Sequence, residues 1–87
     1  VTTPPLRNDL FDETDEVLWE AKGEVGRFAI RLAVGQLLDY KRFEPGPISL
    51  GILVPRRPSD DLLAFIATVP AKAAWPDGSG GFVVHEG

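Results

Sequence analysis

The sequence predicts an α/β domain, and three observations lead to this class. Short runs with strand-like alternation or strong β-propensity occur near the start, the middle and the end of the chain. Two segments with helical apolar spacing or a helix-start pattern separate these runs. Each helix then lies between strands, an order typical of β-α-β units with parallel strands. We therefore expect a mixed sheet flanked by helices.

A β-hairpin begins the domain. Residues 9–12 and 17–22 alternate in polarity as strands do, and the polar run 13–16 between them suits a four-residue hairpin loop. If the last residue of the first strand pairs with the first residue of the second, Asp9 lies directly opposite Glu20. Their side chains then share one face of the sheet, with Cβ atoms only about 5 Å apart.

These two carboxylates are the first candidate site. Lys22 lies on the same face as Glu20, because residues two apart on a strand share a face. Adjacent carboxylates repel unless a positive charge lies between them, and Mg²⁺ prefers oxygen ligands. Lys22 could orient a metal-bound water or neutralise charge on a phosphate. A register shifted by one residue would bring Asp12 to Glu20 in place of Asp9.

A structural interpretation of the same residues is also open. Glu and Lys alternate on many exposed strands, and an Asp beside a turn is ordinary. On the other hand, apolar residues interleave with Glu20 and Lys22, which indicates that the strand is buried on at least one face. Charged side chains seldom enter such a place without a partner. Both interpretations stand at this point.

The next element is a helix that carries two polar residues. After the loop 23–26, apolar residues recur with helical spacing, and one stripe consists of Ala29, Ala33, Gln36 and Tyr40. Apolar residues flank this stripe on both sides, so we expect it at the centre of the buried face. Gln36 and Tyr40, four residues apart, would then point to the same place. The alternative is a boundary pair whose polar tips reach water.

The second half of the chain completes the sheet. Residues 48–54 are mostly apolar, which suits a central strand parallel to the strand before the helix. Ser59 is a favourable N-cap for a second helix with its apolar part at 62–69. Two short strands around a Gly-rich turn are expected to form a terminal hairpin, at residues 73–75 and 82–84 with the turn at 76–81.

Two further motifs could contact phosphate, and we assign neither to the site. Arg27, Arg31 and Arg42 line the helix face opposite Gln36, where a solvated face is the simpler interpretation. The Gly-rich turn 76–81 lacks the strand-then-helix context in which such loops cradle phosphate.

Composition limits the class of protein. The 87 residues suffice for one domain, 1–87, which buries only about 60–65% of its unfolded surface. The chain has no Cys, no signal-peptide pattern and no apolar run that could span a bilayer, so we expect a cytoplasmic location. With one His and no Cys, catalysis through a covalent intermediate is not expected. The net charge of −4 argues against a general nucleic-acid coat protein, but metal-binding acids would contribute to that total.

Together the motifs resemble a known family. In chain order, the motif residues are Asp9, Glu20-Ala21-Lys22 and Gln36-x-x-x-Tyr40. This series resembles the PD-(D/E)XK restriction-endonuclease-like superfamily, and in particular its branch with a Q-x-x-x-Y motif. The resemblance covers the first half of the chain. It implies a restriction-endonuclease-like fold and the hydrolysis of DNA phosphodiester bonds with Mg²⁺ or Mn²⁺.

The resemblance also implies a role for each motif residue. Asp9, Glu20 and the Ala21 carbonyl would bind the metal ion, and Lys22 would serve the attacking water. The Gln and Tyr of the last motif would contact nucleic acid or brace the site. On this basis, Asp9→Ala or Lys22→Ala is expected to abolish cleavage and to leave the fold intact.

The chain departs from the family pattern in two ways. Asn8 precedes Asp9 in place of the Pro of the family name, and only eight residues precede Asp9, where family cores begin with a helix and a strand. We therefore expect a small or truncated core: a fragment of a longer protein with a domain upstream, a processed piece, or a minimal variant completed by a partner. The alternative function is a catalytically silent module that binds nucleic acid or a protein. A homodimer is a further expectation, because two sites would cut both strands.

Overall fold

A computed structural model describes residues 16–86 together with the backbone of residues 9–12. Seven elements follow one another along this part of the chain: β1 (Asp9–Asp12), β2 (Val17–Ala21), α1 (Arg27–Lys41), β3 (Ser49–Leu53), α2 (Asp60–Thr68), β4 (Lys72–Pro76) and β5 (Phe82–Glu86). The protein is therefore α/β, as the sequence predicts, and each predicted element is present. Within these ranges, neither helix is long and apolar enough to cross a membrane.

The five strands form one mixed sheet in the order β1-β2-β3-β4-β5. The inner strands β2, β3 and β4 are parallel, and each outer strand is antiparallel to its neighbour. Both crossovers step in the same direction, and right-handed crossovers of this kind place their helices on the same face of the sheet. The contact between α1 and α2 agrees with this arrangement. The described helices thus cover one face, which also carries the candidate site.

The core lies between the two helices and this face. Its fully buried members include Ile30 and Leu37 of α1, Ile52 of β3 and Ile66 of α2. β3 is the central strand, as its apolar sequence predicts. Burial of apolar side chains from the two successive β-α units, β2-α1 and β3-α2, and from β4 is the main stabilising contribution to the fold.

α1 packs on the sheet through a face that differs from the predicted one. The buried residues of the helix are Ile30, Ala33, Val34 and Leu37. Gln36 and Tyr40, which we expected at the centre of the buried face, are only partly buried and lie at its margin. On the flank of α1 beyond Gln36 and Tyr40, away from the buried residues, Phe28 is 79% exposed and Leu32 is exposed too. The helix is rotated because α2 lies beside it, so the apolar flank that faces α2 is buried in preference to the flank that carries Phe28.

α2 begins as predicted. The Ser59 hydroxyl oxygen accepts a hydrogen bond from the backbone N–H of Leu62 at 3.2 Å, which satisfies one of the free N–H groups of the first turn. Asp60 and Asp61 lie in that turn, where the helix dipole favours acidic side chains. Asp61 also pairs with Arg27 of α1 and so joins the amino ends of the two helices.

The Gly-rich turn between β4 and β5 is organised by its own acid. Asp77 Oδ1 accepts hydrogen bonds from the backbone N–H of Ser79 at 2.7 Å and of Gly81 at 3.1 Å, and from the Ser79 hydroxyl at 2.9 Å. Gly78 and Gly80 have φ of 87° and 95°, a conformation that other L-residues rarely adopt. The backbone N–H groups of Ser79 and Gly81 are therefore already bonded to Asp77 and are not free to bind a phosphate.

The turn predicts a specific pH dependence. Hydrogen bonds, first of all that from the backbone N–H of Ser79, lower the pKa of Asp77 below its ordinary value of 3.8. A lowered folded-state pKa stabilises the fold above the ordinary value, and this stabilisation is lost as the pH falls through the lowered one. We expect the difference in Tm between the parent and Asp77→Ala to be largest at neutral pH and to shrink on acidification. Thermal unfolding across this range measures it.

Asp77→Asn is the matched control for this measurement. Its side-chain amide keeps an acceptor oxygen for the turn and cannot ionise, so its difference in Tm from Asp77→Ala should not change with pH. If the difference in Tm between the parent and Asp77→Ala were just as constant from neutral pH to below pH 3.8, this would contradict the assignment.

Candidate functional site

The candidate site contains a carboxylate that is withdrawn from water. Glu20 is only 3% exposed, and fully buried Glu residues are rare unless they are paired. In the sheet it lies between Asp9 of β1 and Ile52 of β3. Alternation along the strand puts it on the same face as Leu18, and both Leu18 and Ile52 belong to the core. Glu20 is therefore on the face covered by the helices.

Lys22 forms an ion pair with this carboxylate. Its Nζ lies 3.2 Å from Glu20 Oε2, and the exposed fractions of the two side chains are 16% for Lys22 and 4% for Glu20. The backbone N–H of Lys22 donates to the carbonyl of Leu53 at 2.9 Å, which holds the residue beside β3 just beyond the last residue of β2. The pair thus lies at the carboxyl end of β2, where low solvent exposure strengthens the attraction.

The hairpin register predicted from the loop is confirmed. Asp9 is the Cα partner of Glu20, and Asp12 is the partner of Val17. Directly opposed residues of an antiparallel pair share a face, so this register keeps Asp9 as the acidic residue of β1 at the level of Glu20. The side chain of Asp9 lies outside the described part of the structure. Among the side chains that are described, no group of three or more His, Cys, Asp or Glu residues is placed to hold a metal ion.

Gln36 and Tyr40 lie on the flank of α1 that faces away from α2. Arg27 is on the opposite flank, where it pairs with Asp61 of α2. Because β1 and β2 continue the sheet on the side away from α2, Gln36 and Tyr40 face that side. Gln36 Oε1 is buried and has no hydrogen-bond partner within the described residues, and Tyr40 packs against the core.

The two residues of the Q-x-x-x-Y motif are not both gathered around Lys22. α1 returns antiparallel to β2, so its last turn, which contains Tyr40, lies near the amino ends of the strands. Lys41, the next residue, lines a cleft with Ser49 and Lys72, which begin β3 and β4. Lys22 is at the other end of the sheet. The structure thus brings Glu20 and Lys22 into contact at the carboxyl end of β2 and places Tyr40 toward the amino ends of the strands.

Gly51 supports the site from the other face of the sheet and was not predicted from the sequence. It pairs with Trp19, the neighbour of Glu20, and the indole ring of Trp19 lies directly on it. A Cβ at Gly51 would be 2.8 Å from Trp19 Cδ2 and closer still to two other ring atoms. A glycine inside an apolar strand often marks such a close approach, and this is the sequence feature from which it could have been found.

Three arginines form a solvated face, as predicted: Arg27 and Arg31 of α1, and Arg42 directly after the helix. All three are exposed. Arg27 pairs with Asp61, while Arg42 pairs with Asp39 at 3.0 Å and lies over the ring of Phe43.

Comparison of this chain with family models, with curated proteins and with solved structures found no match. The interpretation of the site therefore depends on the residues and their geometry. The arrangement offers a buried carboxylate, an ammonium group paired with it at the carboxyl end of a parallel strand, and an acidic residue opposite in the sheet register. Such a set can bind a cation through oxygen atoms and donate hydrogen bonds to an anion.

Proposed function

We propose that this protein is a divalent-metal-dependent nuclease that hydrolyses DNA phosphodiester bonds, built on a restriction-endonuclease-like fold and acting in the cytoplasm. The observation that carries the proposal is the Glu20–Lys22 ion pair, buried at the carboxyl end of β2 with Asp9 opposite it in register. The carboxyl ends of parallel strands are where α/β proteins commonly place the residues that bind ligands.

A contribution to folding stability does not by itself explain why a Glu and a Lys occupy these buried positions. Taking two charges out of water costs about as much as their attraction returns, and well-packed apolar residues in the same place are often equally stabilising or more so. The neighbours of Glu20 on this face, Leu18 and Ile52, are apolar. A functional role therefore accounts better for a Glu and a Lys among them.

The donor atoms suit a hard cation. They comprise the carboxylate of Glu20, the carbonyl of Ala21 and, from the register, the carboxylate of Asp9, and oxygen ligands of this kind are what Mg²⁺ and Mn²⁺ prefer. When bound, such an ion would lower the pKa of a water ligand and polarise the phosphate.

The other roles in the reaction would fall to side chains of the protein. Glu20 holds the ammonium group of Lys22, whose remaining N–H bonds can donate to a phosphate oxygen or to the attacking water. The low exposure of both side chains strengthens these interactions. On the flank of α1 that faces β1 and β2, Gln36 would brace the site through its buried amide. Tyr40, which lies toward the other end of the strands, would brace it indirectly, by fixing α1 against the core.

The test is cleavage of supercoiled plasmid with Mg²⁺ or Mn²⁺ by the parent, Glu20→Gln and Glu24→Gln. We expect metal-dependent nicking by the parent and a loss of about 100-fold or more in Glu20→Gln, the size of effect seen when one electrostatic contact to the reacting group is removed. Glu24 is an exposed acid in the loop after β2, so Glu24→Gln is the matched control and should cleave as the parent does. A folded parent that does not nick, or a Glu20→Gln variant that nicks equally well, would contradict the proposal.

A catalytically silent module that binds nucleic acid or a protein partner is the second candidate. The direct pairing of Lys22 with Glu20 favours it, because an ammonium group already compensates the carboxylate. The net charge of −4 favours a protein partner over nucleic acid. Metal ions discriminate the two functions: a nuclease should gain thermal stability with Mg²⁺ or Mn²⁺ through selective binding to the native state, whereas a silent module should not.

A further inference from the structure

β5 is an outer strand of the sheet, and its side chains are exposed on both faces. Of the described strands, only β4 pairs with it. Phe82, Val83 and Val84 are 58%, 40% and 48% exposed. Val83 pairs with the core residue Trp75 and so lies on the helix-bearing face, but α2 packs over β4 and leaves it open.

Strand edges of this kind pair readily with another chain. Consecutive aromatic and β-branched residues have high β-propensity, and an edge strand presents backbone N–H and C=O groups that point away from the sheet. Natural edges are usually blocked by Lys, Pro, a bulge or an inward-pointing charge. None of these devices interrupts residues 82–84. The charged residue of β5, Glu86, lies at the end of the strand and pairs with Lys72 at 3.8 Å.

The sequence of β5 is complementary to itself. In an antiparallel pair centred on Val83, Phe82 of each copy lies opposite Val84 of the other, and Val83 lies opposite Val83. Phe82 and Val84 share one face and Val83 lies on the other, so the pairing is consistent on both faces. Every exposed apolar side chain of the strand then meets an apolar side chain, with no charge opposite any of them. This match favours a second copy of the chain over an unrelated strand.

We propose that two copies of this chain associate through β5, as an antiparallel strand pair that extends the five-stranded sheet to ten strands. The interface is isologous, so the two-fold axis closes the assembly at a dimer. The axis passes through the Val83 pair, perpendicular to the sheet. Both copies therefore keep their helices on the same side of the joint sheet.

The proposed dimer has a consequence for the candidate site. A two-fold axis perpendicular to the sheet reverses the direction of the strands, so the carboxyl end of β2 in one copy points the opposite way from that in the other. The two Glu20–Lys22 pairs would then lie at opposite ends of the strands of the joint sheet and act separately. This arrangement differs from a dimer whose two sites cut both strands of DNA at one place.

The experiment is sedimentation equilibrium of the whole chain over a dilution series. The parent should approach twice the 9.5 kDa of one chain at high concentration. Val83→Lys places two ammonium groups directly opposite each other at the axis, and we expect the dimer dissociation constant to rise about tenfold or more. Val83→Glu should do the same, and an equimolar mixture of the two variants should restore the dimer, because Lys then lies opposite Glu.

Leu38→Lys on α1 is the matched control, since Leu38 is 46% exposed and lies away from β5. It should sediment as the parent does, and circular dichroism should show that each variant is folded. A parent that sediments as a single chain throughout, a control that dissociates like Val83→Lys, or a mixture that fails to restore the dimer would each overturn the proposal. None of these readouts depends on cleavage, so the proposal stands or falls separately from the nuclease activity.

Discussion

Lys22→Ala is expected to abolish cleavage and also to lower the free energy of unfolding by about 3–5 kcal/mol, the usual cost of removing one partner of a buried ion pair. The substitution removes the ammonium group that lies 3.2 Å from a carboxylate with 4% exposure. The sequence alone predicts that Lys22→Ala abolishes cleavage and leaves the fold intact. It predicts an intact fold because it does not reveal that Lys22 compensates a buried charge. A loss of activity in Lys22→Ala by itself would therefore not distinguish a catalytic lysine from a structural one.

A double variant makes that distinction. Glu20→Gln combined with Lys22→Met removes both charges and nearly preserves both volumes, so we expect it to recover most of the lost stability and to remain inactive. Lys22→Arg keeps the charge and should retain more stability than Lys22→Ala. Urea unfolding and plasmid nicking, measured on the same preparations, give the two readouts. Cleavage by the double variant would refute the catalytic assignment, and a Lys22→Ala variant as stable as the parent would refute the buried pair.

Gly51→Ala is expected to lower the free energy of unfolding by about 1–3 kcal/mol, as overpacking in a close-packed region does. Its new Cβ would overlap the indole ring of Trp19, which is a rigid group rather than the end of a flexible chain. The ring would have to move, and with it the part of β2 next to Glu20. We therefore expect weaker cleavage to accompany the loss of stability.

Two variants test this explanation for Gly51. Trp19→Leu in the Gly51→Ala background removes the ring that the new methyl group meets, so the combined loss should be smaller than the sum of the single losses. Gly35→Ala is the matched control, because a Cβ there meets nothing within 4 Å. In the middle of α1 it should stabilise the protein by up to about 1 kcal/mol. Equal losses from Gly51→Ala and Gly35→Ala in urea unfolding would contradict the packing explanation.

The first hairpin shows how far local chemistry leads. The length of the polar run 13–16 and the alternation on either side of it predict the register, and the register pairs Asp9 with Glu20. The N-cap at Ser59 was predictable for the same reason, since a cap depends on its own side chain and the next three residues.

The buried face of α1 is a feature that local sequence patterns do not determine. Apolar residues flank Gln36 and Tyr40 on both sides, so periodicity alone cannot choose between the flanks. The neighbouring α2, about thirty positions further along the chain, decides which flank is buried. The same holds for Gly51, whose close contact with Trp19 arises only when β3 pairs with β2.

By itself, the sequence determined the α/β class, the order of strands and helices, the hairpin register and the acidic and basic residues of the candidate site. These follow from periodicity, turn length and capping, which act between residues close in the chain. Only the tertiary structure decided that the described helices share one face of the sheet, that Lys22 compensates a buried Glu20, that Tyr40 lies toward the amino ends of the strands, and that β5 is left open. Each of these depends on which surfaces segments distant in sequence bury against one another, and local patterns do not specify that.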